Sequence, residues 1–237
     1  MDKPVKNVEN PRFCADSPPV WQGRTGTLGI FAKEPQPGQV KTRLCPPLSF
    51  SEAAQVHHLS LQQTVTALAP LQPILFYSGN IAYFHDNFPG VPLLPQSAGD
   101  LGERMAQALL TIHSHGNECA LLVGSDAPDL PLSLIISAYQ ALQHAAVVTI
   151  PARDGGYVLI GESGHHPLLF QGVPWSTSAV LEKTRAICQV QQLSYTEIGS
   201  WEDVDDAAAL LRLVQRSPTL AVSTYAAEIL RVYGCGG

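Results

Sequence analysis

Short apolar runs alternate with amphipathic stretches along the chain. Runs such as Thr27–Ala32 and Cys119–Val123 stay apolar without alternating polar residues, which is typical of strands buried on both faces. Stretches such as Leu101–His113 instead repeat apolar residues every three or four positions, which indicates helices with one buried face. This alternation predicts an α/β fold, a three-layer α/β/α sandwich with a mostly parallel central sheet.

Turn and capping residues set the bounds of the predicted elements. The first helix opens with the capping box of Ser49 and Glu52 and runs to about Leu68. The predicted strands are Thr27–Ala32, Ile74–Tyr77, Val91–Leu94, Cys119–Val123, Ala146–Ile150, Tyr157–Ile160 and Leu193–Ile198. The other predicted helices are Ile81–Asn87, Leu101–His113, Pro131–His144, Ser176–Cys188, Asp205–Arg216 and Thr219–Tyr233. We expect a poorly structured N-terminal arm over 1–26, a main domain over 27–217, and a C-terminal helix and tail over 218–237 that pack on the same domain.

The composition favours a large buried core. Of the 237 residues, 45% are hydrophobic and only 14% are charged, against roughly 25% charged in a typical soluble domain. No apolar run approaches the about 20 residues of a membrane helix, so we expect no transmembrane segment. The net charge of −6 argues against a nucleic-acid partner. Five irregularly spaced cysteines and the lack of a signal-peptide pattern favour the reducing cytoplasm.

The loop after the first predicted strand carries candidate phosphate ligands. Open α/β sheets bind ligands beyond the carboxyl ends of their strands. Here Gly38, Lys41, Thr42 and Arg43 combine close backbone approach, hydrogen-bond donors and positive charge, which suits a small phosphate group. The loop is not a Walker A motif, because no glycine directly precedes the lysine. A solvent-exposed basic turn remains the alternative interpretation.

Acidic residues after another strand suggest a metal site. Asp126 follows Cys119–Val123, where carboxylate ligands for a hard divalent cation are expected, so we assign it to the metal. We assign Asp129 to the N-cap of the next helix. The sequence has a second acidic cluster, whose carboxylates would repel one another unless a cation or a helix N-terminus neutralised their charge. It consists of Glu202, Asp203, Asp205 and Asp206.

The histidines give a weaker signal. None is paired with cysteine or glutamate at metal-ligand spacing, so we expect them to be surface residues. They are His57, His58, His113, His115, His165 and His166.

A series of ordered motifs resembles one known family. The motifs are Phe31-Ala-Lys33-x-Pro35-x-Pro37-Gly38-x-Val40-Lys41-Thr42-Arg43-Leu44, Asp100-Leu-Gly102-Glu103-Arg104-Met105, Gly124-Ser-Asp126-Ala-Pro128-Asp129-Leu130, Asp154-Gly155-Gly156-Tyr157, Trp175-Ser176-Thr177-Ser178 and Asp203-Val-Asp205. In this order, over about Leu28 to Leu211, they resemble the DUF2064 family. That family groups with the GT-A-type glycosyltransferases and nucleotidyltransferases, so the resemblance implies the GT-A, or nucleotide-diphospho-sugar transferase, fold.

The resemblance also implies roles for individual residues. Its nucleotide-binding set is Lys33, Gly38, Lys41, Thr42, Arg43, Gly102 and Arg104, and its metal ligands are Asp126 and Asp205. Its acceptor-side set is Gly155, Gly156, Tyr157, Trp175, Ser176 and Thr177, and its catalytic residues are Asp126, Asp154 and Lys41. The sequence departs from the family at the metal element, which is Asp-x-x-Asp instead of Asp-x-Asp. It also departs after Asp205, where Asp206-Ala-Ala-Ala209-Leu210 replaces Thr-Pro-Glu-Asp-Leu.

These roles predict a transferase that depends on a divalent cation, Mg²⁺ or Mn²⁺. The first hypothesis is a glycosyltransferase that uses a nucleotide-diphospho-sugar and a small-molecule acceptor, with Asp154 as general base. The second is a nucleotidyltransferase that uses a nucleoside triphosphate and releases pyrophosphate. The third is a non-catalytic nucleotide-binding protein. Oligomeric state is left open.

Overall fold

The computed structural model describes residues 20–21 and 24–234. Most of the expected N-terminal arm, and the tail from residue 235 onwards, lie outside the described residues. Strand β1 (Val20–Trp21) pairs antiparallel with the start of β2 (Arg24–Lys33). Strand β2 therefore begins three residues before the predicted Thr27, because this pairing extends it.

A mostly parallel seven-stranded sheet forms the centre of the molecule, as predicted. The strands after β2 are β3 (Ile74–Ser78), β4 (Leu93–Pro95), β5 (Cys119–Gly124), β6 (Val147–Pro151), β7 (Tyr157–Glu162) and β8 (Tyr195–Glu197). Their order across the sheet is β4-β3-β2-β5-β7-β6-β8. Every neighbouring pair in this order is parallel except those of β7, which runs antiparallel to both β5 and β6.

The α-helices follow the predicted order with small shifts in their bounds. They are α1 (Phe50–Leu68), α2 (Ile81–Asn87), α3 (Leu101–Ser114), α4 (Leu132–Ala141), α5 (Val180–Val190), α6 (Ala207–Arg216) and α7 (Ala221–Val232). The predicted capping box is present: the Ser49 side chain accepts from the Glu52 backbone N–H, and the Glu52 carboxylate accepts from the Ser49 backbone N–H. Helix α5 starts four residues late because Ser176 has a left-handed φ of 64°.

The predicted capping role of Asp129 is wrong. Helix α4 has Pro131 at its N-cap position, without a side-chain cap. The Asp129 carboxylate instead accepts hydrogen bonds from Trp201 Nε1 at 3.1 Å and Arg216 Nε at 2.5 Å. This contact joins the loop after β5 to the end of α6.

Helices cover both faces of the sheet, which gives the three layers. On one face, side chains such as Leu28 and Leu121 pack with α1, α2 and α4. On the other face, Phe76 and Leu122 pack with α3 and α5. Burial on both faces accounts for the apolar strands that lack alternation. Among the described residues, no helix combines the length and apolarity that a membrane crossing requires.

A third cluster lies outside this sandwich, where α6 and α7 pack on the outer side of α1. Leu210 and Leu213 from α6 and Val222 and Ala226 from α7 are fully buried there. Residues 203–206, which lead into α6, are thereby held beside the loop after β5, where the Val204 N–H donates to the Asp126 backbone carbonyl at 2.8 Å.

The expectation that the histidines lie on the surface is wrong for His57, His113 and His165, whose side chains are largely buried. His57 is described with the site. His113 packs beside Glu162, a fully buried carboxylate at the end of β7. His113 Nδ1 must donate to the Asn117 carbonyl at 2.9 Å, and its Nε2 lies 3.5 Å from Glu162 Oε1. His165 Nδ1 lies 2.8 Å from the same oxygen. The two imidazole rings are therefore buried because they are the polar partners that the Glu162 carboxylate needs.

Stability should depend on pH through His113. Burial alone would lower the pKa of His113, but Glu162 and the Asn117 carbonyl outweigh burial and raise it above its ordinary value. The protonated ring then stabilises the folded state below about pH 6.5, and this contribution is lost as the pH rises through the higher folded pKa. We expect His113→Gln to cost about 1 kcal/mol at pH 6 and less at pH 9, measured by urea unfolding. An equal cost at both pH values would contradict this assignment.

Candidate functional site

A cavity of about 540 Å³ opens beyond the carboxyl ends of β2 and β5. Because β7 runs against its neighbours, its first residues lie at the same edge of the sheet. The cavity is lined by residues 33, 39–43, 101, 104–105, 124–126, 154, 156–158 and 175–177, together with His57, Gln96 and Asp205, whereas the predicted Gly38, Gly102 and Gly155 are not part of its lining. This is where open α/β sheets bind their ligands, and the structure brings most of the residues that the sequence singled out into this one place.

Lys41 forms the buried centre of the site. Its side chain is only 5% exposed, and its backbone has a left-handed φ of 48°. The ammonium lies 2.6 Å from Asp126 Oδ1 and 3.2 Å from Asp205 Oδ1, and it also donates to the Val204 carbonyl at 2.6 Å. The ammonium thus donates hydrogen bonds to Asp205 and to the Val204 carbonyl and is ion-paired with Asp126, all within the protein. Contact of Lys41 with a phosphate, as the sequence suggested, stays a prediction.

Charge pairing shifts the pKa values of both members of this ion pair, Lys41 and Asp126. Burial would lower the pKa of Lys41, but Asp126 and Asp205 outweigh burial and raise it. Burial would raise the pKa of Asp126, but Lys41 and His57 outweigh it and hold that pKa well below its ordinary range. Both groups are therefore charged at neutral pH.

His57 is the neighbour of this pair that sequence reasoning missed. It projects from α1, and its ring is buried. Its Nε2 lies 3.0 Å from the Lys33 carbonyl, so Nε2 is the donor. Its Nδ1 is 3.8 Å from Asp126 Oδ1 and has no hydrogen-bond partner among the described residues. The sequence gives no metal spacing or motif that would have marked this residue.

Three carboxylates, including that of Asp205, lie close together. One oxygen from each of Asp154, Asp203 and Asp205 lies within 4.8 Å of the others. Burial, with repulsion from Asp205 and Asp154, raises the pKa of Asp203 to about 6. Hard oxygen donors that repel one another in this way fit a divalent cation, which would remove the repulsion. The sequence pointed to the acidic cluster but assigned the metal to Asp126 and Asp205, leaving Asp203 without a role.

The predicted nucleotide-binding lysine and arginine side chains around the cavity differ in their exposure and in their hydrogen bonds. Arg43 is 68% exposed, with Nη1 3.8 Å from Asp205 Oδ2. Lys33 donates to the Gln39 carbonyl at 2.9 Å. Arg104 donates to Gln96 Oε1 at 3.1 Å and to the Asp100 carbonyl at 3.3 Å. Gln96, which the motifs did not include, thus orients Arg104.

The predicted acceptor-side segments hold each other in place. Gly155 has a φ of 91°, and a Cβ there would lie 2.2 Å from the Ser178 carbonyl oxygen, so only glycine fits. The Gly156 N–H donates to Asp154 Oδ1 at 2.9 Å, which orients this exposed carboxylate.

Three other residues of the predicted acceptor-side set differ in the contacts that their side chains make. The Trp175 ring packs directly on Gly102, at the start of α3. The Thr177 hydroxyl donates to the Pro174 carbonyl at 2.7 Å. Tyr157 packs into the core below the cavity, and burial raises the pKa of its hydroxyl. Trp175 and Tyr157 therefore supply wall surface more than polar contacts.

The fold is one that a candidate nucleotide-diphospho-sugar transferase also adopts. Residues 61–177 match the family described as "Uncharacterized protein conserved in bacteria (DUF2064)". A candidate nucleotide-diphospho-sugar transferase from Desulfovibrio desulfuricans G20 is 30% identical, with a TM-score of 0.80 over 88% of this chain and 97% of that one. The chain belongs to the DUF2064 family, as the motifs predicted.

More distant structures share the fold alone. CMP:2-keto-3-deoxy-manno-octonic acid synthetase, solved with CTP, superposes with a TM-score of 0.53 at 8% identity, over 81% of this chain and 98% of that one. The 4-diphosphocytidyl-2C-methyl-D-erythritol synthase of Anaerococcus prevotii DSM 20548 gives 0.54 at 9% identity, over 83% and 97%. No curated protein matches the chain in sequence.

The crowding of Asp203 should cost stability at neutral pH. Its folded pKa of about 6 lies above the ordinary 3.8. Between about pH 4 and pH 6 the folded chain keeps a proton that the unfolded chain releases, so stability falls as the pH rises through this window.

We expect Asp203→Asn to stabilise the protein by roughly 1 kcal/mol at pH 7 in EDTA and to have little effect at pH 4. Urea unfolding at the two pH values measures this difference. Asp86→Asn, at an exposed position on α2, is the control and should change little at either pH. A destabilised Asp203→Asn at pH 7 would contradict the repulsion.

Proposed function

We propose that this protein is a divalent-cation-dependent transferase that uses a nucleotide-diphospho-sugar as donor and a hydroxyl-bearing small molecule as acceptor. The observation that carries the proposal is the carboxylate cluster of Asp154, Asp203 and Asp205, of which Asp154 and Asp205 line a cavity that also presents Arg43 and Arg104. Its similarity to the candidate transferase from Desulfovibrio desulfuricans G20 supports the choice of donor.

Asp203 and Asp205 would hold the cation. Mg²⁺ and Mn²⁺ are commonly bound by one or two carboxylates together with substrate phosphates. The cation would neutralise charge on the departing nucleoside diphosphate. Arg43, largely exposed beside Asp205, would contact the same diphosphate, and Thr42 precedes it with an exposed hydroxyl-bearing side chain.

Asp154 would act on the acceptor. Its Oδ1 is occupied by the Gly156 N–H, which leaves Oδ2 to receive the proton of an acceptor hydroxyl. The acceptor oxygen forms a bond to the anomeric carbon while the bond from that carbon to the phosphate oxygen breaks. The nucleoside diphosphate leaves with the electron pair, and the acceptor proton passes to Asp154.

Binding measurements test the choice of donor. We expect UDP-, GDP- or CDP-sugars to bind in calorimetry only when Mn²⁺ or Mg²⁺ is present, and Asp203→Asn to weaken this binding at least tenfold. Asp86→Asn is the matched control at an exposed position. Tight cation-dependent binding of a nucleoside triphosphate, with release of pyrophosphate, would instead support nucleotidyl transfer and contradict the glycosyl mechanism.

A second variant separates chemistry from binding. Asp154→Asn keeps the shape of the side chain but cannot accept a proton. With a donor identified by the binding measurements, we expect its rate of transfer at saturation to fall by about 10² to 10⁴-fold. Affinity for the nucleotide should change only a few-fold. A variant with unchanged turnover would exclude Asp154 as the base.

A further inference from the structure

The ammonium of Lys41 lies where oxygen atoms from two separate loops converge. Asp126 Oδ1 comes from the loop after β5, and Asp205 Oδ1 and the Val204 carbonyl come from the segment before α6, at 2.6, 3.2 and 2.6 Å from Nζ. Two carboxylates and a carbonyl are ligands of the type that Mg²⁺ and Mn²⁺ take in proteins. The side chain therefore fills a place that has the chemistry of a cation site.

Both the side chain and the backbone of Lys41 are held in this place. Its side chain is almost fully enclosed, and its backbone adopts a left-handed conformation that lysine rarely takes. The chain then turns immediately through the 3₁₀ segment Thr42–Leu44, whose last residue, Leu44, is fully buried in the cluster with α6 and α7. A strained backbone kept in place by a buried neighbour is typical of a position fixed for function.

We propose that Lys41 is a built-in cation that takes the place of a metal ion between Asp126 and Asp205, and that it confines the exchangeable cation to the side of Asp205 that faces Asp154 and Asp203. The part of this proposal that concerns the exchangeable cation rests on the proposed function. Lys41 is then a positioning residue: it supplies one fixed positive charge and draws the loop after β5 to the segment before α6.

The charges on the two sides of Asp205 support this division. Asp126 is paired with Lys41 at 2.6 Å, so its charge is already compensated. Asp154 and Asp203 instead repel each other and Asp205. A cation bound among these three carboxylates would therefore relieve more repulsion than one bound at Asp126. In this proposal the exchangeable cation is held by Asp203 and Asp205, and Asp126 pairs with Lys41 instead.

Titration with Mn²⁺ alone, followed by electron paramagnetic resonance of the free ion, tests the location of the cation. We expect the wild type and Asp126→Asn to bind one ion with affinities within about threefold, and Asp203→Asn to bind at least tenfold more weakly. If the wild type binds no Mn²⁺, the cation dependence in the proposed function fails. If Asp126→Asn loses as much affinity as Asp203→Asn, Asp126 is a ligand and the present proposal fails alone.

Replacement of Lys41 tests whether it stands for a metal. Lys41→Met leaves Asp126 and Asp205 without their shared cation, so we expect a lower melting temperature in EDTA, recovered in part by the double change Lys41→Met with Asp126→Asn. Added Mn²⁺ should raise the melting temperature of Lys41→Met more than that of the wild type, and this excess should vanish in the double variant.

A purely structural lysine would give the same loss of stability but no excess response to Mn²⁺, and that result would overturn the proposal. Should Lys41→Met fail to fold, the same comparison is made between Lys41→Arg and the double variant. Lys41→Arg keeps the charge and should respond to Mn²⁺ like the wild type. The double variant should respond likewise, and an additional Mn²⁺ ion in either would contradict the assignment.

Discussion

The arrangement of the cavity depends on one ammonium group. The loop after β5 and the segment before α6 each bring a carboxylate to the same point, and two such charges would separate in the absence of a cation. Lys41 lies between them, out of contact with bulk water, where charge pairs interact more strongly than at the surface. The third loop, which follows β2, is tied to the other two through the same side chain. The cavity is therefore built around an internal charge, and Arg43 and Arg104 also line it.

The reversed strand β7 is the second condition for the site. In a purely parallel sheet, the residues that precede a strand lie at the edge opposite to the ligand. Because β7 runs against β5 and β6, the turn of Asp154–Gly156 enters it at the cavity edge. Gly155 lets this turn approach the backbone of Ser178. The direction of this one strand thus places the Asp154 carboxylate at the same edge of the sheet as the loops that follow β2 and β5.

Much of the fold could be predicted from local patterns, because strands buried on both faces and helices with one buried face leave clear signatures in the sequence. Ser49 and Glu52 marked a helix start correctly, since both partners of that cap are three residues apart. Asp129 was misassigned because its partners, Trp201 and Arg216, are more than seventy residues away along the chain. Capping preference is a local rule, and here a distant guanidinium competes successfully for the carboxylate.

The same limit applies to the site. The motifs identified the loops, and the structure brings these loops together. They did not indicate that Lys41 turns inward to Asp126, or that Asp203 lies with Asp154 and Asp205, because such pairings depend on side-chain direction and on the packing of α6. His57 carries no signal at all, since a histidine on a helix has the same local pattern whether it faces a cavity or solvent.

Helix α6 is fastened at both ends to the same short loop. Before the helix, the Val204 N–H donates to the Asp126 carbonyl, and at its last residue Arg216 binds Asp129. The helix spans ten residues, about 15 Å, between these attachments. Inserting or deleting one residue would advance one end by about 1.5 Å and rotate it by about 100°, so that only one attachment could be kept. Among relatives of this chain, the length of α6 should consequently be fixed while its exposed face varies freely.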